Sequence, residues 1–182
     1  MSVRAVGPDW VLAHVEQLAG AYRECFTAPP WSEAEDRVVD FADRLVADVV
    51  AGAVEVLVAT AGQAVAGFAV VRPTRLPLPA GRAYPRIVAA LGDRVAGLGG
   101  GVEVDELAVR PSARGSGLGR ALLTAVSERA SGRCWLITAV HAAEVRAFYR
   151  RAGWTEVATS GAGPGHVVVL LGPDHPDLRR AG

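Results

Sequence analysis

From Val102 to Arg120 the chain reads V-E-V-D-E-L-A-V-R-P-S-A-R-G-S-G-L-G-R. A strand, a glycine-spaced loop and a helix start follow one another directly, and this stretch limits the fold most. Valines, a leucine and alternating acids predict a strand over Val102 to Val109, and Pro111, which lacks a backbone donor, ends sheet pairing. From Gly117 the period turns helical, with Leu118, Ala121, Leu122, Ala125 and Val126 on one stripe and Gly132 as the predicted stop. The first turn of a helix leaves backbone N–H groups without intrahelical partners, and the peptide dipoles add positive potential there. Gly115, Gly117 and Gly119 keep side chains out of the way, while Arg114 and Arg120 supply charge. Such a turn suits a pyrophosphate.

Two common pyrophosphate motifs fail on this stretch. The dinucleotide fingerprint G-x-G-x-x-G needs glycine where Arg120 stands, and no acid closes the following strand, Trp135 to Val140, which ends in His141. A Walker-type loop needs lysine, and the chain contains none. What remains is R-G-S-G-L-G, Arg114 to Gly119, an instance of Arg/Gln-x-x-Gly-x-Gly/Ala after a strand ending E-L-A-V-R-P. It resembles the coenzyme A-binding motif of the GNAT superfamily of N-acetyltransferases. The resemblance continues in the strand Cys134 to Val140 and the helix Ala142 to Ala152, whose end A-F-Y-R-R-A-G-W is similar to the family's second motif: Tyr149 stands four residues before the pair Gly153-Trp154. The two motifs cover roughly residues 102 to 158.

The resemblance implies an α/β (α+β) fold: a mixed, mostly antiparallel sheet of six to seven strands, flanked by helices and splayed at the cofactor cleft. It implies acetyl-coenzyme A as co-substrate and direct transfer of the acetyl group to a primary amine of a small molecule. Arg114, Gly115, Ser116, Gly117, Leu118, Gly119 and Arg120 would hold the pyrophosphate. Leu107, Ala108 and Val109 would hold the pantetheine arm by main-chain groups, as an added strand does. Tyr149 would pass a proton to the departing thiolate. His141 stands where the family commonly has asparagine, and would cap the tyrosine helix or touch the cofactor arm. Rival readings are a protein or peptide N-acetyltransferase and a catalytically silent sensor of acyl-coenzyme A. Short acyl donors other than acetyl are not distinguished.

Composition sets wider bounds. The chain has 182 residues, 51% of them hydrophobic, enough for one core, so a single domain over residues 1–172 is expected, with 73–101 inserted and 173–182 a frayed tail. Formal net charge is zero and the arginines are scattered, which points away from nucleic acid or an anionic membrane as partner. A homodimer is compatible with all of this. Cys25 and Cys134 stand apart from any C-x-x-C or histidine-rich setting, so no metal site is expected. The N-terminal residues lack a signal-peptide pattern, and no apolar run approaches the roughly eighteen residues of a membrane span; a cytoplasmic enzyme is expected.

Before the central stretch, a short strand over Ser2 to Val6 and a helix from Pro8-Asp9 to Phe26 are predicted. Pro29 and Pro30 break that helix, and Ser32 with Glu35 reads as a capping box for a second, running to Val50 with Val38, Val39, Ala42, Leu45, Val46 and Val49 inward. In GNAT-like folds the turn between these helices lines the acceptor side, which makes Trp31, Glu33 and Glu35 candidates for substrate contact. The alternative is a hydrophobic staple with helix-dipole acids. Val54 to Thr60 and Ala64 to Arg72 form a predicted hairpin around Ala61-Gly62-Gln63. Pro73 to Gly101, with an amphipathic helix around Ile87, Val88, Leu91, Val95 and Leu98, is either a flap or a helix packed on the sheet edge. Strands are predicted again over Thr155 to Thr159 and His166 to Leu171.

An acceptor amine with a pKa near 10.4 is neutral in only roughly one molecule in a thousand at pH 7, so a base or a water chain must take its proton. Glu106 is the candidate base, with a solvated or substrate-attracting carboxylate as the alternative. Asp105, its neighbour, is a candidate for substrate contact, and His141 is a minor option as base. Strict alternation sets Glu106 opposite Glu103 and Asp105, unless a bulge re-aims one of them.

Overall fold

A computed structural model describes residues 2–62 and 64–180, the last two of these by backbone alone. In chain order the elements are β1 (Val3–Val6), α1 (Pro8–Phe26), α2 (Glu35–Val50), β2 (Glu55–Ala61), β3 (Ala64–Pro73), α3 (Tyr84–Leu91) with a 3₁₀ continuation Gly92–Leu98, and β4 (Val102–Val109). There follow α4 (Leu118–Arg129), β5 (Cys134–Ala139), α5 (Ala143–Arg151), β6 (Thr155–Thr159), β7 (Val167–Leu171) and a 3₁₀ turn Pro176–Arg180. The strands form one mixed sheet in the order β1-β2-β3-β4-β5-β7-β6. β1–β2, β2–β3, β5–β7 and β6–β7 are antiparallel, and β4–β5 is parallel over three residue pairs, Val102–Val104 with Cys134–Leu136. The expected mixed, mostly antiparallel architecture is the observed one.

Two compact units divide the chain, one comprising the residues up to Arg72 with Asp105–Ala125, the other Pro73–Val104 and the residues from Val126 on. In the first unit α1 and α2 lie on the strands through one apolar cluster: Leu18, Tyr22 and Cys25 from α1, Val38, Phe41 and Leu45 from α2, and Val58, Phe68 and Ala108 from the strands. The aromatic rings run in a row, Tyr22–Phe41 at 4.1 Å and Phe41–Phe68 at 5.6 Å between centroids. Full burial of each such side chain contributes about 1.5–3 kcal/mol. The α2 stripe passes through Phe41 and leaves Val39 60% exposed, against the expectation that Val39 points inward. Nor is a capping box formed. Ser32 has φ +49 and its amide bonds the Ala28 carbonyl, so the chain is still turning there; Ala34 is the N-cap, without a side-chain bond, and Glu35 reaches Arg23 of α1 at 2.9 Å instead. Of the expected hairpin turn, Gln63 lies outside the described residues.

In the second unit the segment 73–101 is packed down. Tyr84, Ile87, Leu91 and Leu98 join Trp135, Val169 and Leu171 in one buried cluster, and Trp135 Nε1 donates to Thr74 Oγ1 at 2.7 Å. Its glycine exit is bonded as well, Gly100 N–H to the Thr74 carbonyl and Thr74 N–H to the Gly101 carbonyl. Of the two readings of this segment, the packed helix is observed. Val88, expected on the apolar face, is 41% exposed. The segment after β7 also departs from expectation up to residue 180. His175 is 1% exposed, its amide bonds the Gly172 carbonyl, and Leu178 packs on the same cluster. Two prolines and little apolar content hid this anchoring in the sequence. Residues 181 and 182 lie outside the described residues.

Candidate active site

In the first unit, Arg110 fastens the end of β4. Its Nε donates to the Val65 carbonyl at 2.7 Å and its Nη2 to the Gln17 carbonyl at 3.1 Å, while Nη1 pairs with Glu24. The Val109 carbonyl accepts from both the Cys25 thiol and Arg114 Nε, at 3.2 and 3.3 Å. Beyond a single 3₁₀ turn, Pro111–Ala113, the chain takes left-handed conformations at Gly115 (φ +77) and Gly117 (φ +85), which a side chain would strain. The Ser116 hydroxyl donates to the Ala113 carbonyl at 2.6 Å and braces the turn. The Ala121 amide bonds the Gly117 carbonyl, so α4 begins here and its first-turn amides open onto the loop. A Cβ added at Gly115 or Gly117 would meet no atom within 4 Å. The glycines are therefore required by backbone angle, not by crowding within the protein, and there is room before the amides. Gly119 lies in the first turn of α4, Leu118 is buried and anchors it, and Arg114 and Arg120 are exposed. This arrangement fits a pyrophosphate: a helix of twelve residues presenting its N-terminus, two glycines without steric cover, and two exposed arginines.

A second group of polar side chains in the same unit was not legible in the sequence as a group. The Tyr22 hydroxyl donates to Glu33 Oε2 at 2.7 Å, and the charge of Glu106 lies close enough to act on the same phenol. Burial, then Glu106, then the bond to Glu33 hold the Tyr22 pKa well above its usual value, so the phenol stays a donor. Glu106 accepts from Arg44 Nη2 at 2.8 Å; the Glu106 side chain is 11% exposed and that of Arg44 41%. Trp31 continues the aromatic row outward, its ring 5.9 Å from Phe26, which stacks on Tyr22 at 4.3 Å. Two expected site residues, Glu33 and Glu106, are thus brought together about Tyr22. Asp105 goes elsewhere: its side chain is 2% exposed and faces Arg72 at 3.5 Å, whose nearer partner is Asp48 at 2.6 Å. The two adjacent acids of β4 therefore have different arginine partners.

In the second unit, α5 carries Tyr149, which is 8% exposed and in tilted contact with Phe148 at 5.3 Å and Trp154 at 6.1 Å. Gly153 (φ +88) ends the helix: its amide bonds the Arg150 carbonyl, and the Trp154 amide bonds the Tyr149 carbonyl. This is the Schellman pattern, in which an apolar contact joins the residues at its two ends. The spacing of tyrosine and glycine-aromatic pair is thus also what a helix stop requires. Glu156 of β6 clamps α5, accepting from Arg146 at 3.0 and 2.6 Å and from Arg150 at 3.0 Å, and the bond from Arg146 is the main cause that lowers its pKa. His141 is exposed, and the N-cap position of α5 is the following residue, Ala142.

Among the described residues no three His, Cys, Asp or Glu side chains are grouped to hold a metal ion, and no helix is long and apolar enough to cross a membrane.

A family model described as an acetyltransferase (GNAT) domain matches residues 52–156. Solved structures share the fold. An aminoglycoside 6'-acetyltransferase type Ii is 15% identical, with 97% of this chain and 99% of that one covered and a TM-score of 0.67. A ribosomal-protein-alanine N-acetyltransferase from Brucella melitensis is 21% identical, covering 93% and 98%, at 0.63. The PaiA N-acetyltransferase of Thermoplasma acidophilum, solved in complex with coenzyme A, is 14% identical, covering 94% and 99%, at 0.63. No curated protein sequence matches the chain.

Proposed function

Because the chain belongs to the GNAT acetyltransferase family and uses acetyl-coenzyme A, we propose that it acetylates a primary amine of a small molecule, by direct attack in a ternary complex. The observation that carries this is the pairing of a pyrophosphate-ready loop, Arg114 to Arg120, with the carboxylates Glu33 and Glu106 in the same unit. Acetyl-coenzyme A supplies an activated acyl carbon as a thioester. The chain's own residues do the rest. Amides and guanidinium groups from Arg114 to Arg120 bind the pyrophosphate, and main-chain groups of Leu107, Ala108 and Val109 orient the pantetheine arm. Glu33 and Glu106 attract the acceptor as an ammonium ion, with Trp31 as an apolar wall, and Glu106 takes the proton that must leave before nitrogen can attack. Asp105 in this scheme holds Arg72 and does not touch the acceptor. Tyr149 supplies a proton to the leaving thiol, and His141 contacts the cofactor arm. Residues 1–172 act as one catalytic domain in the cytoplasm.

One finding favours a second acceptor class. The similar structure from Brucella melitensis is, by its name, an enzyme acting on alanine of a ribosomal protein, so a peptide N-terminus is the alternative acceptor. Release of free coenzyme A thiol, measured against aminoglycosides, polyamines, amino acids and short peptides, tests both. Turnover of small amines supports the proposal, and turnover of peptides alone transfers it to the second class. Coenzyme A binding without turnover of any amine would point to a sensor.

A further inference from the structure

Glu106 has charged and titratable neighbours on several elements of the first unit. Tyr22 of α1 lies near it, Glu33 of the α1–α2 turn shares that phenol, Arg44 of α2 is paired with it, and Asp105 beside it on β4 turns to Arg72 of β3. One of these contacts sets a cation directly on the carboxylate. The Arg44 guanidinium sits on Glu106 Oε1 at 2.8 Å, on an arm 41% exposed, while the carboxylate it covers is 11% exposed. The carboxylate is thus held by the sheet, and a cation comes to it from a helix on a long, partly solvated side chain. An ion pair of this kind is weak, because water competes for the exposed partner, so another cation can replace it at little cost.

We propose that Arg44 is a specificity-determining residue of the acceptor site: its guanidinium occupies Glu106 in the acceptor-free enzyme and gives way to the acceptor's ammonium group. This rests on the acetyl-transfer reading above and adds a competitor to it. Two consequences follow from the geometry. The acceptor binds by exchange, one cation for another, and neutral or anionic compounds gain nothing from displacing Arg44. After exchange the guanidinium lies beside the bound amine, so acceptors with further positive charge close to the reacting nitrogen are disfavoured relative to those with a single cationic end.

The test compares Arg44→Gln, Arg44→Met and Arg44→Lys on the best acceptor of the wild-type enzyme. With the competitor removed, the neutral variants should lower KM for the amine by about two- to fivefold with kcat held or raised, the factor expected when a weak ion pair no longer has to be broken. Arg44→Lys, which keeps a cation on the same arm, should restore the wild-type KM. A raised KM would mean that Arg44 itself binds the acceptor, and an unchanged KM would make it a surface ion pair; either overturns the proposal. Loss of the folded state in both neutral variants would assign Arg44 to structure, and overturns it too. Nitrogen NMR of the Arg44 guanidinium in acceptor-free protein separates this from the parent reading: its signals should shift on Glu106→Gln whether or not any amine is acetylated, and unmoved signals refute the pairing alone.

Discussion

Tyr22 and Glu33, eleven residues apart across a helix end and a double-proline turn, are joined by a 2.7 Å hydrogen bond from the phenol to the carboxylate. The ring of Tyr22 belongs to the apolar core and its hydroxyl to the candidate acceptor site, so one side chain ties the packing of α1 to the position of an acid on the following turn. Tyr22→Phe keeps the ring and removes the bond. Because Glu33 is part-exposed and water can replace the phenol, the cost to stability should be modest, about 1 kcal/mol. Acceptor KM should rise several-fold, with coenzyme A affinity unaltered. Melting curves and steady-state kinetics check both, and an unchanged KM would make the bond purely structural.

Gly119→Asp sets a side chain and a negative charge in the first turn of α4, where the pyrophosphate is to lie, without asking the backbone for a left-handed angle. Coenzyme A binding by calorimetry should be lost, while the melting temperature stays within a few degrees. Gly117→Ala, at φ +85, should by contrast cost roughly 1–2 kcal/mol of stability from backbone strain. Wild-type affinity in Gly119→Asp would remove the loop from the cofactor site.

Glu106→Gln retains shape and loses the base. Turnover should fall more at neutral pH than at high pH, where the amine is already neutral, and coenzyme A binding should be unaffected. A ratio to wild type that is flat across pH would point to water or to His141 as the proton acceptor.

Tyr149→Phe separates helix packing from proton transfer. The contacts of the ring with Phe148 and Trp154 survive the change, so fold and coenzyme A affinity should hold, while turnover should drop by roughly ten- to a thousandfold if the phenol serves the leaving thiol. A phenol near 10 is a weaker acid than a thiol near 8.5, so the benefit is confined to the moment when charge builds on sulfur and about these limits are expected. Full turnover would leave Tyr149 as the anchor of the helix stop alone.

His175 provides a pH test of stability. It is 1% exposed, Nδ1 accepts from the Asp177 amide at 3.3 Å, and Nε2 has no partner among the described residues. Burial lowers its pKa in the folded chain, against the opposing pull of Asp177 and with a smaller lowering from Arg133. A group that protonates more readily when unfolded favours folding above its unfolded value, about 6.5, and its contribution is lost as pH falls below that value toward the depressed folded one. The melting temperature should therefore fall as pH drops below about 6.5, and the difference between wild type and His175→Phe should narrow as it does. A difference independent of pH would show that His175 does not titrate in step with unfolding.

Much of this protein was legible residue by residue. The order of strands and helices followed from periodicity and the loop before α4 from its glycines, because dihedral preference and helix hydrogen bonding are settled within a few residues of chain. Even there a local rule failed where tertiary contacts competed: Ser32 and Glu35 have the spacing of a capping box, yet Arg23 of α1 takes Glu35 and the turn holds Ser32 outside the helix. Which acid of Glu103, Asp105 and Glu106 meets which partner was decided only in three dimensions. Tyr84 takes the first, Arg72 the second and Arg44 the third, over separations of 19, 33 and 62 residues. Alternation along a strand assigns a face, whereas the partner depends on which arginine or tyrosine can reach across from another element and how much water remains between them. For the same reason the segment 73–101 read equally as flap or packed helix in sequence: its apolar stripe was visible, but the surface waiting for it, Trp135 with Val169 and Leu171, exists only once β5 and β7 are paired.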